Sequence, residues 1–197
     1  MRLDDEQIER YSRQLILREI GPRGQERLLA TRVAVAGADA AAERVVAYLA
    51  AAGIGWIAGE PGPRAAADPD QPDLTLAPLA AATGAACDAA VIVAPTIAAA
   101  ADALAPWRTG AATVFWIAAG RAGALPPCPR CAAAALTVGE VEPALAPLRD
   151  GVLATVVATE VVKATLAIGT PLAGRVLAYD PATATLATAT PTGRCAH

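Results

Sequence analysis

The most restrictive feature of this sequence is a short apolar run that ends in a glycine and leads into a helical segment. Residues 32–37 read Arg-Val-Ala-Val-Ala-Gly, which is typical of a buried strand followed by a tight turn. Residues 43–52 predict a helix that Gly53 and Gly55 terminate, and residues 56–58 predict the next strand. A strand, turn, helix and strand in this order begin a doubly wound parallel sheet, so we predict a Rossmann-like α/β fold.

Further segments extend this sheet and place helices on both of its faces. Helices are predicted at residues 4–18, 25–30, 97–105 and 151–168, and strands at residues 88–94, 113–118, 176–179 and 185–188. The last two strands are expected to close the sheet in antiparallel fashion. Residues 60–78 are rich in Pro, Gly, Asp and Ala and predict an irregular loop, and residues 121–127 predict turns.

The chain of 197 residues is predicted to form one domain. Its three parts are N-terminal helices at 1–30, a Rossmann-like core at 31–120, and a cysteine knuckle, long helix and closing strands at 121–197. The net charge is −3 and no basic cluster is present, which argues against nucleic acid as a partner. The apolar segments are too short for a membrane span, and the polar, acidic start does not read as a signal peptide, so we expect a cytoplasmic location.

Several segments together resemble the ThiF/MoeB/HesA family, relatives of the ubiquitin-activating enzymes. Their order and spacing agree over most of the chain, although this chain is shorter than a typical member in its middle. The matching segments are residues 9–17, 24–26, 33–55, 159–163, 171–175 and 179–180. The resemblance implies a fold that binds ATP and magnesium and adenylates the C-terminal glycine of a ubiquitin-like protein, often a sulfur carrier.

The phosphate turn departs from what this resemblance requires. A phosphate-binding turn uses glycines so that the chain can turn tightly and its backbone can approach the anion. Here residues 37–42 read Gly-Ala-Asp-Ala-Ala-Ala, so only Gly37 remains of the G-x-G-x-x-G pattern. Asp39 occupies the second glycine position, where its negative charge would repel a triphosphate.

The other expected nucleotide ligands are also altered. At the end of the second strand Glu60 is the candidate for binding ribose, with a solvated loop residue as the alternative. The resemblance places a magnesium-binding aspartate after the strand at 88–94, where this chain has Pro95-Thr96. Arg13 matches an arginine that reaches the partner subunit's ATP in relatives, but it also fits a solvated face or a dimer salt bridge. Arg13, Gly37 and Glu60 therefore form a vestigial nucleotide site in this interpretation.

The cysteines predict a metal site. Cys128 and Cys131 form a C-x-x-C knuckle whose spacing lets two thiolates bind one tetrahedral metal, although redox pairs share it. Many members of the resembled family bind structural zinc with a second C-x-x-C near the C-terminus, where this chain has Cys195 and His197. We predict structural zinc held by Cys128, Cys131, Cys195 and His197, with a redox dithiol and metal-free cysteines as alternatives. Cys87 is expected to be a buried cysteine.

Three functions are compatible with these features. The favoured hypothesis is a degenerate, non-adenylating pseudoenzyme that acts as a binding or scaffold protein for a ubiquitin-like or sulfur-carrier system. The alternatives are an active ATP-dependent adenylyltransferase using Glu60 and Arg13, and an NAD- or FAD-binding oxidoreductase, which would need the missing glycines. The resemblance and the apolar stripe on the N-terminal helix predict a homodimer, with a heterodimer with an active relative as a further alternative.

Overall fold

The computed structural model describes residues 3–68, 70–82, 87–107 and 112–192. Within these ranges eight strands form one sheet in the order β3-β2-β1-β4-β5-β6-β7-β8, in which the first five are parallel and the rest join in antiparallel fashion. The predicted mainly parallel Rossmann-like sheet with antiparallel closing strands is therefore confirmed. The strands are β1 (Arg32–Ala36), β2 (Trp56–Gly59), β3 (Thr75–Pro78), β4 (Ala89–Ala94), β5 (Thr113–Ala118), β6 (Arg121–Ala124), β7 (Val176–Asp180) and β8 (Thr185–Ala189).

Helices cover both faces of this sheet. No helix within the described ranges is both long and apolar enough to cross a membrane. The helices are α1 (Asp5–Arg10), α2 (Ser12–Leu15), α3 (Gly21–Ala30), α4 (Ala40–Ala52), α5 (Pro61–Ala65), α6 (Ile97–Ala103), α7 (Pro129–Ala135) and α8 (Ala146–Leu166).

Two apolar clusters lie on opposite faces of the sheet, because successive strand side chains alternate between its faces. On one face Val33, Val91 and Phe115 pack with buried residues of α4 and α8. On the other face Ile92 and Trp116 pack against residues following α6 and within α7. Trp116 is fully buried and Trp107 nearly so, which places both tryptophans in the core.

The prediction of one continuous N-terminal helix at 4–18 is wrong. It is broken at Tyr11, whose backbone leaves helical geometry and whose side chain turns inward to contact Asp73. The predicted apolar stripe is divided by this break. Tyr11 is buried, Leu15 is half-buried, and Ile8 and Ile16 are 47% and 82% exposed.

Three more segments differ from the predictions, and proline at a helix start accounts for part of the difference. Proline is accepted in the first turn of a helix, where its missing N–H is not needed. The segment 21–24 therefore opens α3, which begins four residues before its predicted start at residue 25, and Pro61 opens α5 inside the predicted loop at 60–78. That loop also contains β3, which ends the parallel sheet with Pro78 paired to Gly59. The predicted turns at 121–127 contain β6, and Pro129 opens α7.

Candidate functional site

The turn between β1 and α4 lies at the carboxyl edge of the parallel strands, where α/β sheets bind their ligands. Gly37 has a φ of +148°, and a Cβ there would lie 2.8 Å from both the Cβ and the carbonyl oxygen of Val93. Glycine is therefore required because the turn passes directly against the end of β4. Packing alone explains the glycine at position 37, and no bound nucleotide is needed to account for it.

Asp39 caps the N-terminus of α4. Its side chain accepts hydrogen bonds from the backbone nitrogens of Ala41 at 3.1 Å and Ala42 at 3.0 Å. The unpaired amides at a helix N-terminus are the groups that bind a phosphate in dinucleotide folds. In this chain a carboxylate of the protein already occupies two of them.

The end of β4 lacks the predicted magnesium ligand and uses its next residue for another purpose. Pro95 is exposed and has no donor oxygen on its side chain. Thr96 follows it and caps α6, accepting a hydrogen bond from the backbone nitrogen of Ala99 at 3.1 Å. The polar side chain that follows β4, that of Thr96, therefore serves to cap α6.

A cleft of about 640 Å³ lies beside this turn at the carboxyl ends of β1, β2 and β3. The charged side chains that line it, among the described residues, are Glu60 and Arg64, and the other lining residues are Ala36, Gly59, Pro61, Pro78, Leu79, Ala80, Ala82, Ala103, Pro106 and Trp107. Glu60 thus lies at a cleft, as the candidate role in binding requires. Gly37 and Asp39 are not among the lining residues, so the cleft and the helix N-terminus are separate features.

Arg13 lies far from these residues within the chain. It is exposed on α2, next to Gln14, whose amide nitrogen donates to the carbonyl oxygen of Ala51. That carbonyl is at the C-terminal end of α4, whereas Asp39 caps the N-terminal end. The 13 residues of α4 span about 20 Å, so Arg13 does not join Gly37 and Glu60 in one protomer.

A polar cluster fixes the N-terminal arm to the end of α4. Asp73 accepts hydrogen bonds from Gln7 at 2.7 Å and Tyr11 at 3.2 Å, and it pairs with Arg10. Gln71 donates to the carbonyl oxygen of Ala50 at 2.9 Å. Burial raises the pKa of Tyr11, and the charge of Asp73 adds to that effect while the hydrogen bond from Gln71 opposes it. These contacts hold Tyr11 in place beside the C-terminal end of α4.

Two of the four predicted zinc ligands are described. Cys128 is buried and is the residue just before α7, and Cys131 is half-buried in the first turn of the same helix. Residues three apart lie on one side of a helix start, and thiolates suit zinc, so this half fits the metal. Cys195 and His197 lie outside the described residues. Within the described ranges no group of three or more His, Cys, Asp or Glu residues could hold a metal.

The capping role of Asp39 was not predicted from the sequence, and Arg64 could not be assigned to a site from the sequence. An aspartate immediately before an alanine-rich helix is a strong N-cap signal, and it was available. Arg64 gave no comparable signal because the helix that carries it was taken for a loop.

Comparison with known proteins relates this chain to adenylating enzymes over a limited segment. It is 49% identical over 55 residues to the SAMP-activating enzyme E1 of Haloferax volcanii, covering 28% of this chain and 20% of that enzyme. It is 47% identical over 57 residues to the sulfur carrier protein adenylyltransferase of Thermus thermophilus, covering 29% and 21% respectively. The matched segments thus span about a fifth of these relatives. No family model matches the chain.

Solved structures extend the likeness to the whole fold. E. coli MccB in complex with MccA superposes with a TM-score of 0.70 at 14% identity, covering 95% of this chain and 74% of that one. PaaA superposes with a TM-score of 0.61 at 15% identity, covering 98% and 76%. The resemblance to the ThiF/MoeB/HesA family that the motifs predicted is therefore confirmed as a ThiF/MoeB-like fold with a matching segment of sequence.

Proposed function

We propose that this chain is a non-adenylating relative of the ThiF/MoeB/HesA enzymes that serves as a binding or scaffold protein. The observation that carries this proposal is the cap formed by Asp39. A triphosphate at this helix would have to displace the carboxylate from two backbone amides or accept its repulsion at close range. Either route costs binding energy that a glycine in the same position would not.

The end of β4 supports the same conclusion independently. Magnesium prefers carboxylate and phosphate oxygens, and it offsets the charge that builds up during transfer of a nucleotidyl group. Pro95 cannot ligate it, and the hydroxyl of Thr96 is engaged by α6. A cation would therefore lack its expected anchor beside the phosphates.

The partner proposed for this scaffold is a small ubiquitin-like or sulfur-carrier protein. One relative of this chain is named as a sulfur carrier protein adenylyltransferase, and another as a SAMP-activating enzyme E1. Loss of nucleotide chemistry would leave the capacity to hold such a carrier. An active adenylyltransferase is the competing function, and Arg64 and Glu60 in the cleft are the residues that favour it.

A homodimer is proposed from the N-terminal arm. Ile8, Ile16 and Leu17 are large apolar residues left exposed on or beside α1 and α2. A second copy would cover them, and Arg13 on the same arm would then approach the partner. Sedimentation of the wild type should give a dimer and Ile16→Asp a monomer, with Leu186→Asp on β8 as the control that remains dimeric. A monomeric wild type would contradict the proposal, and a heterodimer with an active relative would then be the alternative.

Structural zinc is proposed for the cysteine knuckle. Cys128 and Cys131 would supply two thiolates, with Cys195 and His197 as the other ligands, and a closed shell of four would stabilise rather than catalyse. Elemental analysis of the purified protein should find one zinc per chain, lost in Cys131→Ser and retained in Cys87→Ser. A metal-free wild type would contradict this proposal.

The proposed lack of adenylation is tested by ATP–pyrophosphate exchange. The assay is run on this chain with a sulfur-carrier protein, and the Thermus thermophilus adenylyltransferase serves as the positive control. We expect exchange from the control and none from this chain. Exchange by this chain that depends on magnesium and carrier would establish an active adenylyltransferase instead.

A further inference from the structure

Glu60 and Arg64 carry opposite charges one helical turn apart yet do not pair. The backbone nitrogen of Arg64 donates to the carbonyl oxygen of Glu60 at 3.1 Å, which sets the two residues at positions i and i+4. Such residues have Cβ atoms about 5–6 Å apart and commonly form an ion pair. Within the described residues neither side chain takes part in one. Both line the cleft of about 640 Å³ instead.

Arg64 also has an unmet hydrogen-bonding requirement. Its Nε is buried and has no hydrogen-bond partner among the described residues. Buried polar atoms in native structures are nearly always paired, so this Nε leaves the guanidinium incompletely satisfied within the described part of the chain. The two terminal nitrogens of a guanidinium suit a carboxylate, which they can bind with two parallel hydrogen bonds.

The rest of the cleft excludes highly charged ligands. Pro61, Pro78 and Pro106 have no backbone N–H to offer, and the alanines, Leu79 and Trp107 present apolar surface. The charges of the two ionised side chains sum to zero. Among the described lining residues a polyphosphate would find one cation and one repelling carboxylate, whereas a ligand with one positive and one negative group would match both.

We propose that this cleft binds a free amino acid with an apolar side chain. Arg64 holds the α-carboxylate, Glu60 accepts hydrogen bonds from the α-ammonium group, and the side chain lies against the prolines, Leu79 and Trp107. The spacing of an i, i+4 pair that is not in contact leaves room for the adjacent amine and carboxylate of an amino acid. This inference rests on the proposed function, because it requires that the nucleotide no longer occupies this part of the fold.

The test is calorimetric titration of the full chain with L-leucine and L-phenylalanine, alongside two analogues of leucine. 4-Methylpentanoate lacks the amine, and L-leucinamide lacks the carboxylate. We expect each analogue to bind about tenfold more weakly or worse than L-leucine, since each loses a charged hydrogen bond. Equal affinity for leucine and both analogues, or no binding of either amino acid, would overturn the proposal.

Variants that remove one charge each test which side chain binds the carboxylate of the ligand and which binds its ammonium group. Arg64→Gln should weaken L-leucine by about tenfold or more and leave L-leucinamide unchanged, because only the carboxylate contact is lost. Glu60→Gln should weaken L-leucine and leave 4-methylpentanoate unchanged. Arg23→Gln, an exposed arginine on α3, is the matched control with wild-type affinity. Unchanged leucine binding by a folded Arg64→Gln protein would refute the assignment.

One further titration, with magnesium and ATP, separates this inference from the proposed function. Binding of ATP would overturn the proposed function. Absence of binding by both ATP and the amino acids would leave the proposed function in place and remove only this inference.

Discussion

Asp39 Oδ1 lies 3.0 Å from the backbone nitrogen of Ala42, the third residue of α4. The same oxygen also accepts a hydrogen bond from the backbone nitrogen of Ala41, so the cap satisfies two N–H groups that the helix itself leaves unpaired. Asp39 therefore stands where the G-x-G-x-x-G pattern has its second glycine, and it also stabilises the start of α4. Its replacement should have measurable consequences for stability.

Substitution of Asp39 tests the cap. Asp39→Ala removes the acceptor and should lower the free energy of unfolding by about 1 kcal/mol. Asp39→Asn keeps an acceptor oxygen and should cost less, losing chiefly the favourable interaction of charge with the helix dipole. Urea denaturation measures both. Equal stability of the alanine variant and the wild type would contradict the capping role.

Gly123 on β6 pairs directly with Trp116 on β5, and it should not tolerate a side chain. A Cβ at Gly123 would lie 2.7 Å from Cζ2 of the buried indole. We expect Gly123→Ala to lower the free energy of unfolding by about 1–3 kcal/mol through overpacking. Gly139→Ala is the control, because a Cβ there meets nothing within 4 Å. Similar denaturation midpoints for the two variants would show that the indole moves aside.

Stability should fall at high pH because of Tyr11, which is 3% exposed. Burial raises the pKa of its phenol in the folded state above its ordinary value of about 10. The neutral phenol is therefore favoured by folding, so its contribution is fully present below the unfolded pKa and is lost as pH rises through the folded pKa.

Urea denaturation of the wild type and Tyr11→Phe from about pH 9 upward measures this effect. The variant should lose less stability than the wild type as pH rises. Tyr48→Phe, whose ring is 46% exposed in the wild type, should behave as the wild type does. Parallel pH profiles for the wild type and Tyr11→Phe would contradict the assignment.

Glu160 ties the end of α8 to the segment before β7. Its Oε2 accepts the backbone N–H of Leu172 at 2.6 Å, and its Oε1 pairs with Lys163, which also donates to the carbonyl oxygen of Thr170. Because Glu160 is buried, Glu160→Ala should lower the free energy of unfolding by about 3 kcal/mol. Asp150→Ala, which removes a more exposed ion pair with Arg149, should cost about 1 kcal/mol or less. Thermal and urea unfolding distinguish these outcomes.

The parts of the fold that could be predicted from the sequence are those whose local pattern and tertiary role agree. The apolar runs of β1, β4 and β5 are buried on both faces of the sheet. Such strands are recognised by a continuous apolar run, because they do not alternate between apolar and polar residues. Gly53 ends α4 in the left-handed conformation, as a glycine at that position indicates.

The missed elements depend on contacts that lie elsewhere in the chain. β3 is a strand because it pairs with β2, and its own residues, which include Pro78, give little sign of it. The break at Tyr11 depends on Asp73, some sixty residues away. The prolines that open α3 and α5 were a local signal of a helix start, but residues 60–78 were interpreted as a loop and the second helix was predicted to begin only at residue 25.

The candidate site was predicted in part. Gly37 and Glu60 lie at the carboxyl edge of the sheet, as the pattern of strand, turn and helix requires. The isolation of Arg13 from them could not be read from spacing, because it depends on which end of α4 the N-terminal arm contacts. The lack of an ion pair between the side chains of Glu60 and Arg64 depends in the same way on three-dimensional packing.

The central proposal is that this chain does not bind the ATP that its resemblance to adenylating enzymes implies. Calorimetric titration of the purified wild type with ATP and magnesium tests it most directly, with the Thermus thermophilus adenylyltransferase titrated under the same conditions. We predict no detectable heat of binding for this chain. Saturable, magnesium-dependent binding would mean that Asp39 and Pro95 are compensated, and it would contradict the claim.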